Sequence, residues 1–436
     1  LAVLGAVTGI LCGRIVVIGD CTSPSFDGGG NYEVGEESSS VISGDFNRDG
    51  KLDLAVAKWG VHQSITNGTV SVLLGNGDGT FQAATNYRLG TVCYCVATGD
   101  FNRDGILDLA IGCIGVRLML GHGDGTFGPA VSVEPGPIVP YLAVADFNRD
   151  GKLDLMTANN DTGNISVLLG NGDGTFQPPL NHPATAQPQY ITVGDFNGDG
   201  KPDAAVASAS NVSSIMLGNG DGTFRSAPDY NTGSGQLSVT TSDFNGDGKP
   251  DLAVGNVGLV SVGLGNGNGT FQPPINFGIQ DQHWSIAAGD FNGDGIPDLA
   301  VGGTGDYVSI HLGNGNGTFG GWNNFDAALY PFSIAVADLN GDGKPDIATA
   351  NYNSTNASVL LNTSPCAGPA LAVKSALSTI ELSWSYPSTD FALQGTPSLS
   401  APDWQPVTEP RTTNILTLEV SVPVDRSQSY FRLRKP

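Results

Sequence analysis

The sequence predicts an all-β chain: a seven-bladed β-propeller closed by an N-terminal strand, followed by a small C-terminal β-sandwich. Three observations carry that prediction. The nine-residue pattern Asp-x-Asn-x-Asp-Gly-x-x-Asp occurs seven times, starting at Asp45, Asp100, Asp146, Asp195, Asp243, Asp290 and Asp338, 46 to 55 residues apart. Each copy lies between short apolar, β-branched runs, such as Val96-Ala97-Thr98 before the second and Leu109-Ala110-Ile111 after it. A third run (Val70 to Leu74) then leads into the turn Gly75 to Phe81, which opens a fourth run ending at Leu89. Four short strands in a repeat of about 48 residues, without helical periodicity, describe a propeller blade.

The blades follow in order from the first pattern to the last, and the seventh lacks its fourth run after Asn362. Ser25-Phe26 followed by Asn31-Tyr32-Glu33-Val34-Gly35 matches Thr80-Phe81 followed by Asn86-Tyr87-Arg88-Leu89-Gly90 at the same spacing. Residues from about 22 to 35 are therefore expected to supply the outer strand of the last blade, removing an open sheet edge. The resulting division is an apolar arm over 1–21, a propeller over 22–366 and a tail over 367–436. In the tail the pattern disappears, and the runs Ala370–Val373, Ile380–Trp384, Phe391–Gln394, Leu416–Val422 and Tyr430–Leu433 alternate as strands do. The arm, Leu1 to Leu11 and then Ile15 to Ile18, is interrupted by Arg14 and is too short for a membrane span. It reads as a signal-peptide remnant, as a segment packing on its own chain, or as a strand added to a second copy. Addition without closure would build a filament.

The repeated pattern has the chemistry of a calcium loop. Oxygen-bearing side chains at positions 1, 3 and 5, a turn-forming Gly at 6, the backbone carbonyl of position 7 and an Asp at 9 make a hard-cation donor set. The expected ligands are Asp45, Asn47, Asp49, Lys51 and Asp53 in the first loop, and Asp100, Asn102, Asp104, Ile106 and Asp108 in the second. Asp146, Asn148, Asp150, Lys152 and Asp154 form the third, and Asp195, Asn197, Asp199, Lys201 and Asp203 the fourth. Asp243, Asn245, Asp247, Lys249 and Asp251 follow, then Asp290, Asn292, Asp294, Ile296 and Asp298, then Asp338, Asn340, Asp342, Lys344 and Asp346. Positions 7 act through the carbonyl, so Lys and Ile serve alike. Seven Ca²⁺ would add 14 positive charges to the net −23, leaving about −9, so the acidity needs no basic partner. With 19 Lys and Arg in 436 residues and no cluster of them, nucleic-acid binding is disfavoured.

The run Asp243 to Val254, Asp-Phe-Asn-Gly-Asp-Gly-Lys-Pro-Asp-Leu-Ala-Val, resembles the FG-GAP and VCBS-type repeats. Such repeats build seven-bladed propellers in integrin α subunits, in a fungal lectin family and in secreted bacterial proteins. The resemblance covers residues 22 to about 362 and implies calcium ligands at positions 1, 3, 5, 7 and 9. Leu339 departs from the usual Phe, and Arg48, Arg103 and Arg149 from the Gly at position 4. All seven loops are intact, which is closer to the bacterial and lectin types than to integrins. The tail is loosely similar to immunoglobulin- or fibronectin-like domains.

Six Cys and calcium loops point to a secreted, cell-surface protein. Cys21 with Cys366, and Cys95 with Cys113, are the expected disulfides, while Cys12 and Cys93 are left over. No catalytic constellation emerges: His62, His122, His182, His283 and His311 fall at unrelated repeat positions. No enzyme activity is expected. Trp59, Tyr94, Tyr141, Tyr190, Trp284 and Phe332 fall on the connections opposite the calcium loops, the last five near the start of the inner strand. They read either as a ring of sugar-stacking sites or as wedges between blades. The function expected is a calcium-stabilised structural or adhesive surface protein that assembles with copies of itself. The alternative is a propeller that binds a glycan or a surface protein.

Overall fold

A computed structural model describes residues 24–59, 68–184, 186–210, 212–233, 235–279 and 283–364, together with the strand at 14–16 and seven strands between 370 and 434. The described residues between 26 and 362 form an all-β seven-bladed propeller, as the sequence predicts, and no helix occurs among the described residues. The first blade runs Ser38–Gly44, Asp53–Lys58, Thr69–Leu73 and Thr85–Arg88, each strand antiparallel to the next. The inner strands of the seven blades neighbour one another in a closed cycle. The second strands are buried along their whole length, for example Asp53–Lys58 and Asp251–Asn256. Both of their faces are covered by adjacent blades, which is why they read as unbroken runs of small and β-branched residues.

Two blades depart from the simple pattern. In the second, Asp108–Met119 is one continuous strand pairing both inward and outward. Ile114-Gly115, with Gly115 at φ 80°, holds the place of the hairpin tip Val257-Gly258 in the fifth blade. In the fourth, the outer strand is split into Phe224–Ser226 and Tyr230–Asn231.

Closure occurs where the sequence places it. Phe26–Glu33 pairs antiparallel with Asn356–Asn362, from Phe26↔Asn362 to Glu33↔Asn356. The blades are stitched at one corner by a repeated pair of aromatics. The loop Phe at position 2 meets the hairpin Phe of the next blade, as in Phe46–Phe127 at 5.5 Å and Phe196–Phe271 at 5.6 Å. Where the first of these residues is Leu339, it packs in one buried cluster with Phe81. Tilted aromatic pairs of this kind contribute about 0.5–1.5 kcal/mol beyond their buried area.

The register at the start of the inner strand overturns one expected disulfide. A β-bulge between Cys93 and Cys95 leaves Tyr94 unpaired, so Cys95 stands opposite Gly112 and Cys93 opposite Cys113. The Cys93 and Cys113 Sγ atoms lie 3.0 Å apart, whereas the Cys95 thiol donates to the Val139 carbonyl at 3.7 Å. Counting residues outward from the loop fails because the bulge consumes one residue on one strand only. Cys12, Cys21 and Cys366 lie outside the described residues.

The chain divides into two compact units. One takes Phe26–Phe291 and Ile296–Asn362, the other Leu1–Ser25, Asn292–Gly295 and Thr363–Pro436. In the tail, one sheet has the order Arg14–Val16, Ala370–Ser375, Thr379–Ser385, Thr417–Pro423, Arg411–Thr413. A second sheet holds Gln405–Pro406, Ala392–Thr396 and Tyr430–Arg434. Within the arm, Arg14–Val16 pairs with its own chain, Arg14↔Ala372 to Val16↔Ala370.

Candidate functional site

The seven Asp-rich loops join the first strand of each blade to the second. In the first loop, Asp45 Oδ1 and Asn47 Oδ1 both accept from the Asp49 backbone N–H, at 3.1 and 3.0 Å, and Asp45 Oδ2 accepts from Gly50 N–H at 2.9 Å. Asp49 Oδ1 accepts from Lys51 N–H at 2.9 Å. Positions 1, 3 and 5 are thereby turned into the same bend. The fourth, fifth and seventh loops repeat this set, for example Asp199 N–H to Asp195 Oδ1 and Asn197 Oδ1. At position 4, Arg48, Arg103 and Arg149 adopt φ near +60°, which L residues enter at a cost. Their side chains lie against Gly123, Gly172 and Gly220 of the next blade, where an added Cβ would come within 3.0 to 3.4 Å.

Position 9 does something different. Asp53 is fully buried, its Oδ2 accepting from Phe46 N–H at 2.8 Å and its Oδ1 from Gly75 N–H at 2.7 Å. The same pair of bonds recurs in every blade, down to Asp346 with Leu339 and Asn362. In six blades the carboxylate thus pins its own loop to the hairpin between strands three and four, and in the seventh to the end of the third strand at Asn362. The latch continues outward. Gly125 N–H donates to the Phe46 carbonyl of the preceding blade at 3.2 Å, and Gly269 N–H to Phe196 at 2.8 Å. Gly125 sits at φ 82°, and a Cβ there would meet Leu74 at 2.6 Å, so this corner requires glycine. Burial pushes the carboxyls of Asp53 and Asp108 up, and those of Asp154, Asp203, Asp251 and Asp346 up to about 6. Donation by the two backbone N–H groups partly offsets that rise.

The donor set is of the kind a hard dication takes. Among the described residues, however, no three acidic, His or Cys side chains are gathered into a metal-holding group. In five loops the lysine at position 7 lies beside the position-5 carboxylate, from 2.9 Å for Lys152–Asp150 to 4.0 Å for Lys51–Asp49. An ammonium group there stands in for cationic charge. Where position 7 is Ile106 or Ile296, the Asn amide takes the role: Asn102 Nδ2 donates to Asp104 at 2.8 Å and Asn292 Nδ2 to Asp294 at 3.0 Å. Asp, Asn and Asp at positions 1, 3 and 5 with the position-7 carbonyl would hold the ion. Position 9 would ligate with the lone pairs its backbone bonds leave.

The other candidate lies at the far end of the inner strands. Those strands are seven residues long in the first blade, a run of about 20 Å. There one cavity of about 360 Å³ opens, and all six aromatics singled out from the sequence (Trp59, Tyr94, Tyr141, Tyr190, Trp284 and Phe332) line it. The bulges explain how. In six blades the start of the inner strand carries an irregular step that leaves one residue unpaired, among them Tyr94, Trp284 and Phe332. A bulged residue is re-aimed out of the sheet. Tyr141 and Tyr190 sit one position later, in register, and face each other at 4.7 Å. The aromatics thus form one cavity and not a ring of equivalent sites.

Sequence reasoning missed Tyr330, Tyr352 and Asn353, which also line the cavity. A signal was present, since Tyr352 and Trp59 each stand six residues after a position-9 Asp. Both are held by one backbone device. Glu37 and Tyr330, at φ 61° and 59°, turn their carbonyls to accept from Trp59 N–H at 3.1 Å and Tyr352 N–H at 2.9 Å. Trp59 then packs edge-on against Tyr352 at 5.1 Å and Tyr94 at 5.6 Å, while Trp284 stacks on Phe332 at 5.2 Å and 24°. Burial raises the phenols of Tyr94, Tyr141, Tyr190 and Tyr352, Tyr141 to about 12, so they keep their protons at neutral pH.

Known structures share this architecture. BBS1N, crystallised with ARL6DN, is 12% identical with a TM-score of 0.54, over 80% of this chain and 96% of that one. The WD40 β-propeller domain of Doa1 is 15% identical with a TM-score of 0.54, over 78% and 97%. A lectin from Agrocybe aegerita that recognises non-reducing terminal N-acetylglucosamine is 22% identical with a TM-score of 0.48, over 72% and 86%. No curated protein matches the sequence. The FG-GAP-like repeat matches five times, at residues 45–111, 146–206, 195–254, 243–301 and 290–349. All seven Asp-rich loops fall inside those matches, and the chain belongs to the FG-GAP-like repeat family.

Proposed function

We propose that this chain is a secreted binding protein in which calcium holds the loop end of the propeller and the opposite, axial cavity takes the ligand. The observation that supports it is a contrast between the two ends. At the loop end the same residues recur in every blade, as a scaffold requires. At the cavity end the residues vary from blade to blade, with Ser39, Tyr94, Gln189, Leu237, Trp284 and Phe332 at the bulged position, as a site shaped to one ligand requires. The cavity is concave, lined by aromatic side chains at half its positions and by a few polar groups, the usual make-up of a ligand site. The ligand, a glycan or a protein, would give the chain an adhesive role at a surface.

The test is a screen on arrayed glycans and surface proteins in millimolar calcium, repeated with Trp284→Ala and Tyr190→Ala. Selective binding that both variants weaken supports the proposal. Selective binding that neither touches would place the site elsewhere. Assembly into filaments would need the arm to leave its present partner, since Arg14–Val16 pairs with its own chain's Ala370–Ala372. Removal of residues 1–18 should therefore leave the particle size in solution unchanged.

A further inference from the structure

We infer that the axial cavity receives the end of a neutral carbohydrate chain, one per propeller; this rests on the binding role proposed above and names its ligand. Stoichiometry comes first. The repeated loops would suggest seven equal sites, but the bulged position is Ser39 in the first blade, Gln189 in the fourth and Phe332 in the seventh. No two neighbouring blades build the same surface there, so the cavity is one asymmetric site.

Charge comes next. In a chain of net charge −23, none of the residues lining the cavity is charged at neutral pH. An ionic ligand entering it would shed water and find no counter-charge, a cost that a neutral ligand avoids.

Shape and surface chemistry then narrow the class. Trp284 stacks on Phe332 at 24°, and Tyr141 and Tyr190 lie 4.7 Å apart with their planes tilted by 35°, so four of the lining rings are grouped in two pairs. Aromatic lining suits a ring with an apolar face. The phenols and the amides of Gln189 and Asn353 offer both donors and acceptors to a hydroxylated rim. A pyranose has both features. A volume of about 360 Å³ is at the small end for ligand pockets, room for one or two sugar rings presented end-on. A peptide adding as a strand would pair with one inner strand, each of which is the terminal strand of its sheet, and a peptide competitor tests that mode directly.

The test uses the full chain in calcium, with methyl glycosides of neutral hexoses and of N-acetylhexosamines as probes. A uronic acid glycoside and a proline- and tyrosine-rich peptide are the competitors. Tryptophan fluorescence reports the site, and calorimetry gives the stoichiometry. The expected result is binding of at least one neutral glycoside at one per chain. Trp284→Ala should weaken it about tenfold or more, the loss of one stacking face. Trp284→Phe should restore part of it, and Trp322→Ala, on an exposed outer strand, should change nothing. Melting temperatures of the variants guard against misfolding. If only the peptide or the uronic acid binds, and Trp284→Ala weakens it, the ligand class is wrong while the cavity stands. Glycoside binding that Trp284→Ala leaves intact, or a stoichiometry near seven, overturns the site itself, and binding by no probe overturns the inference.

Discussion

The position-9 aspartates should stabilise the propeller even without metal, and Asp203→Ala isolates that contribution. The side chain is fully buried and accepts from Phe196 N–H at 2.9 Å and Gly218 N–H at 2.7 Å. Truncation strands both amides where neither has another partner at hand. Each buried, unpaired N–H costs about 1–3 kcal/mol, so the two together amount to about 2–6 kcal/mol. The carboxylate is itself poorly solvated, its pKa pushed up to about 6 by burial, and removing it returns part of that. A net loss of about 3 kcal/mol is expected. The assay is urea unfolding in EDTA, where a lower midpoint at unchanged slope reports stability alone. Asp199→Ala is the control: its side chain is about one-third exposed at position 5, and in EDTA it should cost under about 0.5 kcal/mol. In millimolar calcium the control should become costly too. A loss below about 1 kcal/mol for Asp203→Ala in EDTA would refute the latch.

Three further outcomes are expected. Calcium should raise the melting temperature over EDTA, since a site at one hundred times its dissociation constant contributes about 2.7 kcal/mol; equal melting temperatures would remove calcium from the loops. The pH dependence should change sign with the metal. Asp154, Asp203, Asp251 and Asp346 titrate near 6 when folded, against an ordinary carboxyl value of 3.8, so between about 6 and 4 the folded state holds more protons. In EDTA, stability should therefore rise as pH falls through that window and be lost again as pH rises through 6. In calcium, acid should instead destabilise by displacing the ion, and matching slopes in the two conditions would count against metal at these loops. Finally, oxidative refolding in a glutathione buffer should join Cys93 to Cys113, their sulfurs being 3.0 Å apart on opposed strands, and leave Cys95 free. Peptide mapping that finds Cys95 linked to Cys113 would contradict the register.

What could be read directly from the residues was whatever is local and repeated. The loop chemistry lies within nine residues and recurs seven times, so blade number followed from counting. The closing strand was legible because Phe26 to Gly35 repeats the spacing of Phe81 to Gly90. The tertiary structure decided what depends on position across blades. A single bulged residue gave Cys113 the partner Cys93 in place of Cys95, since periodicity cannot register an extra residue on one strand. Asp53 and its counterparts turn inward onto Phe46 and Gly75, an engagement set by a hairpin some twenty residues further along. The axial cavity is the furthest from sequence. Trp59, Tyr94, Trp284 and Phe332 come from different blades and meet only because the ring closes, so no window of the chain contains the site.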